Sequence, residues 1–269
     1  MPQDVEARVL WNRHLSPDFN VLALEAPTIA EAVQPGQFVM IKPHPGLEPL
    51  LRRPFSVFEI LRDAGGRTTG LSLLSKRIGI TTGQMYEAGP DATVRCLGPL
   101  GRPFTRADAG TSVWMVAGGV GLAPFATLAE ALAGRGVPAT LFYGARTSAE
   151  LFYLDLFERL GVRLVLATED GSRGERGRVT VPLASVLEDP NRPASVLIQA
   201  CGPEPMLAAV ARLALRHDVA CEVSVERVMG CGMGGCYSCV VPVRTDGSFH
   251  HVRSCLAGPV FDAATLLWD

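Results

Sequence analysis

Met229-Gly230-Cys231-Gly232-Met233-Gly234-Gly235-Cys236-Tyr237-Ser238-Cys239, followed after fifteen residues by Cys255, governs what the rest of this 269-residue chain must be. Three cysteines in a C-x4-C-x2-C run with a distant fourth have the form of a plant-type [2Fe–2S] ligand set, in which four thiolates serve two sulfide-bridged irons. Gly230, Gly232, Gly234 and Gly235 let the backbone wrap tightly and turn N–H groups onto sulfur, which stabilises a negative cluster. Zinc is the rival, because C-x2-C is also a zinc knuckle, but zinc sites usually pair two such knuckles and here the last cysteine stands alone. Cys231, Cys236, Cys239 and Cys255 are therefore the candidate metal ligands, in a module over 226–269. Such a module handles electrons singly, so the preceding residues should say where they come from.

The composition bounds the answer. The chain is 48% hydrophobic and 19% charged with a net charge of −2, which describes a well-cored globular protein without the basic face that nucleic acid requires. Residues 1–6 have neither the basic start nor the apolar core of a signal peptide, so a reducing, cytoplasmic location is expected. In that compartment the seven cysteines read as ligands rather than disulfides. The uncharged run between Asp108 and Glu130 approaches the length of a membrane span. Its glycines and Pro124 instead read as a buried strand, a glycine loop and a helix, and no membrane association is expected.

Residues 1–104 carry short strands separated by turn signals, the pattern of an antiparallel barrel: 5–11, 20–25, 37–42, 55–60, 70–76 and 93–97. Val39, Ile41, Val57 and Leu71 fit its inward alternation. Adjacent Arg52 and Arg53 precede Pro54, Phe55 and Ser56, where a guanidinium suits phosphate oxygens, an aromatic ring a planar heterocycle, and a hydroxyl its edge. A solvated arginine pair entering a strand explains the same residues. Gly98-Pro99-Leu100-Gly101 reads as an ordinary turn leaving the barrel, with a linker over 105–110.

From Thr111 the rhythm alternates strand and helix, giving strands at 113–117, 140–143, 162–167, 196–200 and 222–225 and helices at 122–133, 149–160 and 204–216. This is a doubly wound parallel sheet over 105–225, whose ligands bind at the carboxyl ends of the strands. The glycine clusters fall there. Gly118, Gly119 and Gly121 follow the first strand, Gly144 the second, and Cys201, Gly202 and Pro203 the fourth. Glycine there lets backbone amides approach a pyrophosphate at a helix start, although position 124 is proline rather than a third glycine. Glu169 and Asp170 end the third strand and suit ribose hydroxyls, whereas Arg173, Arg176 and Arg178 suit a 2′-phosphate; the choice stays open.

A barrel with R-P-F-S, then G-G-V-G-L-A-P-F and C-G-P-E-P-M, resembles the ferredoxin–NADP reductase superfamily. With the four-cysteine module, the whole is similar to the electron-transfer subunits of class B dihydroorotate dehydrogenase. The resemblance implies FAD held by Arg53, Pro54, Phe55 and Ser56, with Leu74, Ser75 and Lys76 on the next flavin-contacting strand. Gly79, Thr81 and Thr82 match the family's G-x-G-T phosphate turn, except that Thr81 replaces its second glycine. Gly118, Gly119, Gly121, Cys201, Gly202 and Pro203 match its NAD site, with Cys201 near nicotinamide and flavin. No acid–base residue is implied, and Cys96 and Cys221 are expected to pack. The implied activity is transfer of electrons from NADH through FAD and the [2Fe–2S] cluster to a separate FMN-containing dihydroorotate dehydrogenase catalytic subunit, within a hetero-oligomer of pyrimidine biosynthesis. Val228, Met229, Met233 and Tyr237 are candidates for an apolar, partly exposed face toward that partner, or equally for a shield of the irons from water. Subunits of sulfhydrogenases or of NADH-dependent ferredoxin:NADP oxidoreductases share the domain order, and a redox sensor or a zinc-stabilised binding module are readings from other classes.

Overall fold

A computed structural model describes every residue except Pro45, Asp246 and Asp269. The first seven strands are β1 (Gln3–Ser16), β2 (Phe19–Glu25), β3 (Phe38–Lys42), β4 (Arg53–Ser56), β5 (Glu59–Arg62), β6 (Thr68–Lys76) and β7 (Thr93–Leu100), with helices α1 (Pro27–Ala30) and α2 (Ile80–Glu87) between them. They form one antiparallel sheet in the order β4-β3-β7-β1-β2-β6-β5. Its two edge strands are consecutive in the chain, joined only by Val57 and Phe58. Laid flat, seven strands would hold those edges about 29 Å apart, and a two-residue link reaches roughly 10 Å. The sheet must therefore curl into a barrel. Val57 N–H bonds Gln37 O (3.3 Å) and Phe58 N–H bonds Ser72 O (2.8 Å), fastening the two edges. The single strand expected over 55–60 is thus two strands on opposite edges, broken where the barrel closes.

The second sheet comprises β8 (Ser112–Gly118), β9 (Ala139–Ala145), β10 (Arg163–Thr168), β11 (Glu175–Arg176), β12 (Val196–Cys201) and β13 (Ala220–Ser224). Helices α3 (Ala123–Ala133), α4 (Leu154–Arg159), α5 (Thr180–Glu188) and α6 (Glu204–Arg216) cross between its strands. β8 lies between β9 and β12, so the chain winds outward first one way and then the other. Strands buried on both faces follow from that winding. Val113, Met115 and Ala117 of β8 pack with α3 and α4, while Trp114 and Val116 pack with α5 and α6 on the other side. The helix expected over 149–160 is a short 3-10 turn, Ser148–Glu150, and then α4, because Tyr153 between them is left-handed (φ 58°). α2 and α5 have no counterpart among the expected elements.

The C-terminal segment adds a hairpin of β14 (Val240–Thr245) and β15 (Ser248–Arg253), a turn of helix α7 (Ser254–Ala257), and β16 (Val260–Asp262). β16 pairs antiparallel with β13 and so completes the second sheet from within the expected cluster module. The expected turn at 98–101 belongs largely to β7.

β3 and β7 of the barrel are also buried on both faces. Val39, Ile41, Val94 and Cys96 point into the barrel core, and Phe38, Met40, Leu97 and Leu100 point outward against Met229, Cys239 and Cys255. The barrel wall is therefore the floor of the cysteine segment. Cys96 and Cys221 pack as buried apolar residues.

Gly70 of β6 tests this packing, because a Cβ there would lie 1.9 Å from Leu24 O of the neighbouring strand. Gly70→Ala should cost about 1–3 kcal/mol of stability through forced backbone displacement, read as a thermal midpoint lowered by several degrees; an unchanged midpoint would contradict the packing.

Candidate functional site

The carboxyl ends of β8 and β12 face the barrel across a cleft of about 1260 Å3. Sixteen residues singled out as nucleotide or flavin contacts line it: Arg53, Pro54, Phe55, Ser56, Leu74, Ser75, Lys76, Gly79, Thr81, Thr82, Gly118, Gly119, Gly121, Cys201, Gly202 and Pro203. The fold brings them together because β8 is where the sheet's winding reverses and β4 is the barrel edge that meets it.

Gly118 and Gly121 are there because their neighbours leave no room, and Gly119 because its φ is +55°. A Cβ on Gly121 would sit 2.1 Å from Cys201 O, and one on Gly118 would sit 2.7 Å from Met206 Sδ. The turns after β8 and β12 interlock, leaving a bare backbone surface at the start of α3.

On the barrel side the two arginines part company. Arg52 donates to both oxygens of Asp4 (2.9 and 2.7 Å), whereas Arg53 has no carboxylate partner among the described residues and lines the cleft. Gly79 precedes α2, and Thr82 Oγ1 accepts from the Ile78 and Gly79 N–H groups (2.9 and 3.0 Å). The turn is held by Thr82 from within the helix, so Thr81 in place of a glycine is accommodated, buried in the helix's first turn. Ser75 is buried, and its Oγ has no hydrogen-bond partner among the described residues. A lone buried hydroxyl on a cleft wall fits a ligand with a polar edge.

Cys201 ends β12 beside Ser224 and near Glu226, all three on the cleft wall. Burial pushes its thiol up to about 12 against the opposing Ser224 hydrogen bond, so it is neutral at working pH and offers a small uncharged surface. At the far rim, Asp170 is occupied by Ser172, whose N–H and hydroxyl bond its Oδ1 (2.9 and 2.7 Å). Glu169 instead lines the cleft, and of Arg173, Arg176 and Arg178 only Arg178 does so.

The four candidate ligands lie within one another's reach: the thiols of Cys231 and Cys236 interact, as do those of Cys239 and Cys255, and Cys231 also acts on Cys255. Among the described residues no three metal-ligating side chains converge on a single ion position. Cys231 Sγ accepts from the N–H groups of Met233 (3.4 Å) and Gly235 (3.2 Å). A Cβ on Gly232 (φ 72°) would meet Met40 Cγ at 2.6 Å, and one on Gly234 (φ 83°) would meet Leu256 Cδ1 at 2.5 Å, so both the turn and the close packing require glycine. Arg253 braces the loop, donating to Gly234 O (2.7 Å) and stacking over Tyr237.

Val228, Met233 and Tyr237 are exposed, whereas Met229 is buried and packs inward on the barrel wall, the shielding place rather than the partner-facing one. Phe38 was not anticipated as a site residue. It lines the cleft and also belongs to the apolar cluster holding Cys239 and Cys255. Its signal was the unbroken apolar run of Phe38, Val39, Met40 and Ile41, where a strand with one wet face would alternate.

Residues 226–267 match the family described as the iron–sulfur cluster binding domain of dihydroorotate dehydrogenase B, and 115–212 match the oxidoreductase NAD-binding domain. The chain is 35% identical, over the full length of both, to the dihydroorotate dehydrogenase B (NAD(+)) electron transfer subunit of Desulforamulus reducens. It belongs to that family. The Bacillus caldolyticus member is 38% identical over 91% of each chain. The solved structure of an NADH-dependent reduced ferredoxin-NADP oxidoreductase superposes with a TM-score of 0.84 at 27% identity, over 98% of this chain and 91% of that one. Family membership makes the chain an NADH-dependent flavin and iron–sulfur oxidoreductase subunit whose cofactors are FAD, NAD(H) and an iron–sulfur cluster. No helix among the described residues is long and apolar enough to cross a membrane.

The thiols differ in a way that chemistry can read. In the metal-free chain the Ser238 hydroxyl lowers Cys236 to about 6, so its thiolate forms on passing that pH, while Cys201 stays protonated until about 12. Iodoacetamide should therefore alkylate Cys236 of the cluster-free protein at a rate that levels off above about pH 7, with Cys201 unreacted throughout the neutral range. Peptide mapping that finds Cys201 modified first would contradict these environments.

Proposed function

We propose that this chain takes electrons from NADH and delivers them singly to the FMN of a dihydroorotate dehydrogenase catalytic subunit, serving pyrimidine biosynthesis in a hetero-oligomer. The observation that carries the reading is Phe38. One side chain bounds the cleft and packs with the cysteines, so a single barrel wall separates the two.

The residues divide the work as follows. Arg53 and the amides opening α2 hold the flavin's pyrophosphate, supplying fixed positive charge at a helix start. Phe55 and Ser56 of β4 and Ser75 of β6 bound the isoalloxazine, with the lone Ser75 hydroxyl meeting its polar edge. Gly118, Gly119 and Gly121 admit the dinucleotide's pyrophosphate to the start of α3. The Cys201 thiol, neutral and flanked by Gly202 and Pro203, leaves room for the nicotinamide ring against the flavin. The conversion of a hydride into single electrons is the chemistry that bound FAD would supply and the side chains cannot. Phe38 and Met229 keep water out between cleft and cysteines, and the amides of Met233 and Gly235 stabilise charge at Cys231.

The exposed side chains of Val228, Met233, Tyr237 and Leu256 surround the cysteine segment and form an apolar face for the acceptor protein. A second reading is a subunit of an NADH-dependent ferredoxin:NADP oxidoreductase, favoured by the overall superposition on that structure. Purification with native partners separates them. An FMN protein that reduces orotate supports the first reading, and a ferredoxin-linked partner the second.

Arg53→Ala should lower FAD retention on gel filtration by about tenfold or more, the scale of a lost charge-assisted phosphate contact of 1.5–3 kcal/mol; a variant as yellow as the parent would contradict the assignment. Cys236→Ser should remove the cluster's visible absorbance while NADH still bleaches the flavin. Loss of flavin reduction with the flavin still bound would mean that the cleft and cysteines are not separate stations.

A further inference from the structure

The far rim of the cleft carries charge that the glycine turns do not explain. With the nicotinamide at Cys201 and the pyrophosphate after β8, the adenosine half must run outward across the ends of β9 and β10. These strands lie about 5 and 10 Å from β8, which is the span of a nucleoside. Pairing continues beyond both strands, as Glu169 N–H bonds Ala145 O (3.1 Å) and Asp170 N–H bonds Arg146 O (3.2 Å). Arg146, Glu150 and Glu169 therefore share one stretch of cleft wall.

Arg146 is already committed. Its Nε donates to Glu150 Oε2 (3.2 Å) and its Nη2 to Glu150 Oε1, a two-pronged ion pair in which the Glu150 side chain is only 19% exposed. Glu150 is itself fixed, since its carbonyl accepts from the buried Tyr143 hydroxyl (3.1 Å) and its N–H bonds Thr147 O (3.1 Å). The hydrogen bond from Arg146 holds the carboxyl below its usual range, so the negative charge persists through the neutral range.

We propose that Glu150, by keeping Arg146 bonded within the chain, makes the cleft select a dinucleotide with a free ribose 2′-hydroxyl over one bearing a 2′-phosphate. Tight phosphate recognition needs a guanidinium fork. Here the fork at the end of the second strand is filled, and a phosphate that displaced Glu150 would leave a mostly buried carboxylate facing it. A hydroxyl needs only an acceptor, which Glu169 supplies from the same wall. Arg178, exposed on this rim, is the competing phosphate anchor. The inference rests on the nucleotide reading of the cleft.

The test uses the FAD- and cluster-loaded protein and three variants: Glu150→Gln, Glu150→Gln with Arg146→Ala, and Glu150→Gln with Arg178→Ala. It measures kcat/KM for NADH and NADPH with ferricyanide, and calorimetric affinity for 5′-AMP and 2′,5′-ADP. Glu150→Gln should raise the NADPH-to-NADH ratio roughly tenfold, a change of about 1.4 kcal/mol, chiefly through the KM for NADPH. It should tighten 2′,5′-ADP relative to 5′-AMP to a similar degree. Adding Arg146→Ala should erase both gains and adding Arg178→Ala should not. A ratio unmoved by Glu150→Gln, or a gain lost with Arg178 rather than Arg146, overturns the proposal. Fragment binding without a change in selectivity overturns it alone, whereas failure of both fragments to bind overturns the nucleotide reading with it.

Discussion

Phe38, Met40, Leu97 and Leu100 make the outer face of two barrel strands into an apolar floor on which Met229, Cys239 and Cys255 rest. The rest of the structure depends on that contact. It sets the cysteine segment behind the cleft, since Phe38 and Met229 belong both to the cleft wall and to the cluster around Cys239 and Cys255. Tunnelling between redox centres falls off steeply with distance, so side chains shared by the two sites favour transfer between them. The floor also explains the backbone above it, because the loop can lie on Met40 only if residue 232 has no Cβ.

The cleft arises from two independent topological facts. A two-residue link between the edge strands of the first sheet closes the barrel and puts Arg53–Ser56 at its rim. Reversal of winding at β8 in the second sheet opens a crevice at its carboxyl edge. Residues from both lie in shared packing, with Val21, Phe58 and Leu74 of the barrel beside Leu122, Ala123 and Phe125. Glu222 ties the linker as well, accepting from Thr105 N–H (3.0 Å), the Thr105 hydroxyl (2.5 Å) and Gln199 (2.9 Å). The two halves are thereby held at one spacing, which hydride transfer between ligands on opposite walls requires.

What the sequence disclosed was local chemistry. The C-x4-C-x2-C run, the glycine turns and R-P-F-S each declare themselves within a few residues, and the fold brings these positions together. What it hid depends on distant partners. Nothing near Arg52 and Arg53 says that Asp4 will take the first and leave the second. Phe55 and Glu59 read as one strand because the link between them, Val57 and Phe58, is as apolar as a strand interior, and only barrel closure separates them. Met229 looks like Met233 in sequence, yet one is buried on β3 and the other faces solvent. β16 is too short to be recognised without β13 to pair with, and Tyr153 breaks a helix by a left-handed φ that its own side chain does not announce. α2 was within reach, since Gly79 followed by Thr82 is a helix start of the capping type.

The central claim is that four sulfurs hold an iron–sulfur cluster behind a flavin cleft. Metal, sulfide and flavin analysis of the protein purified without air tests it most directly. The account predicts two irons and two acid-labile sulfides per FAD. Zinc at one per chain, or iron without flavin, would contradict it.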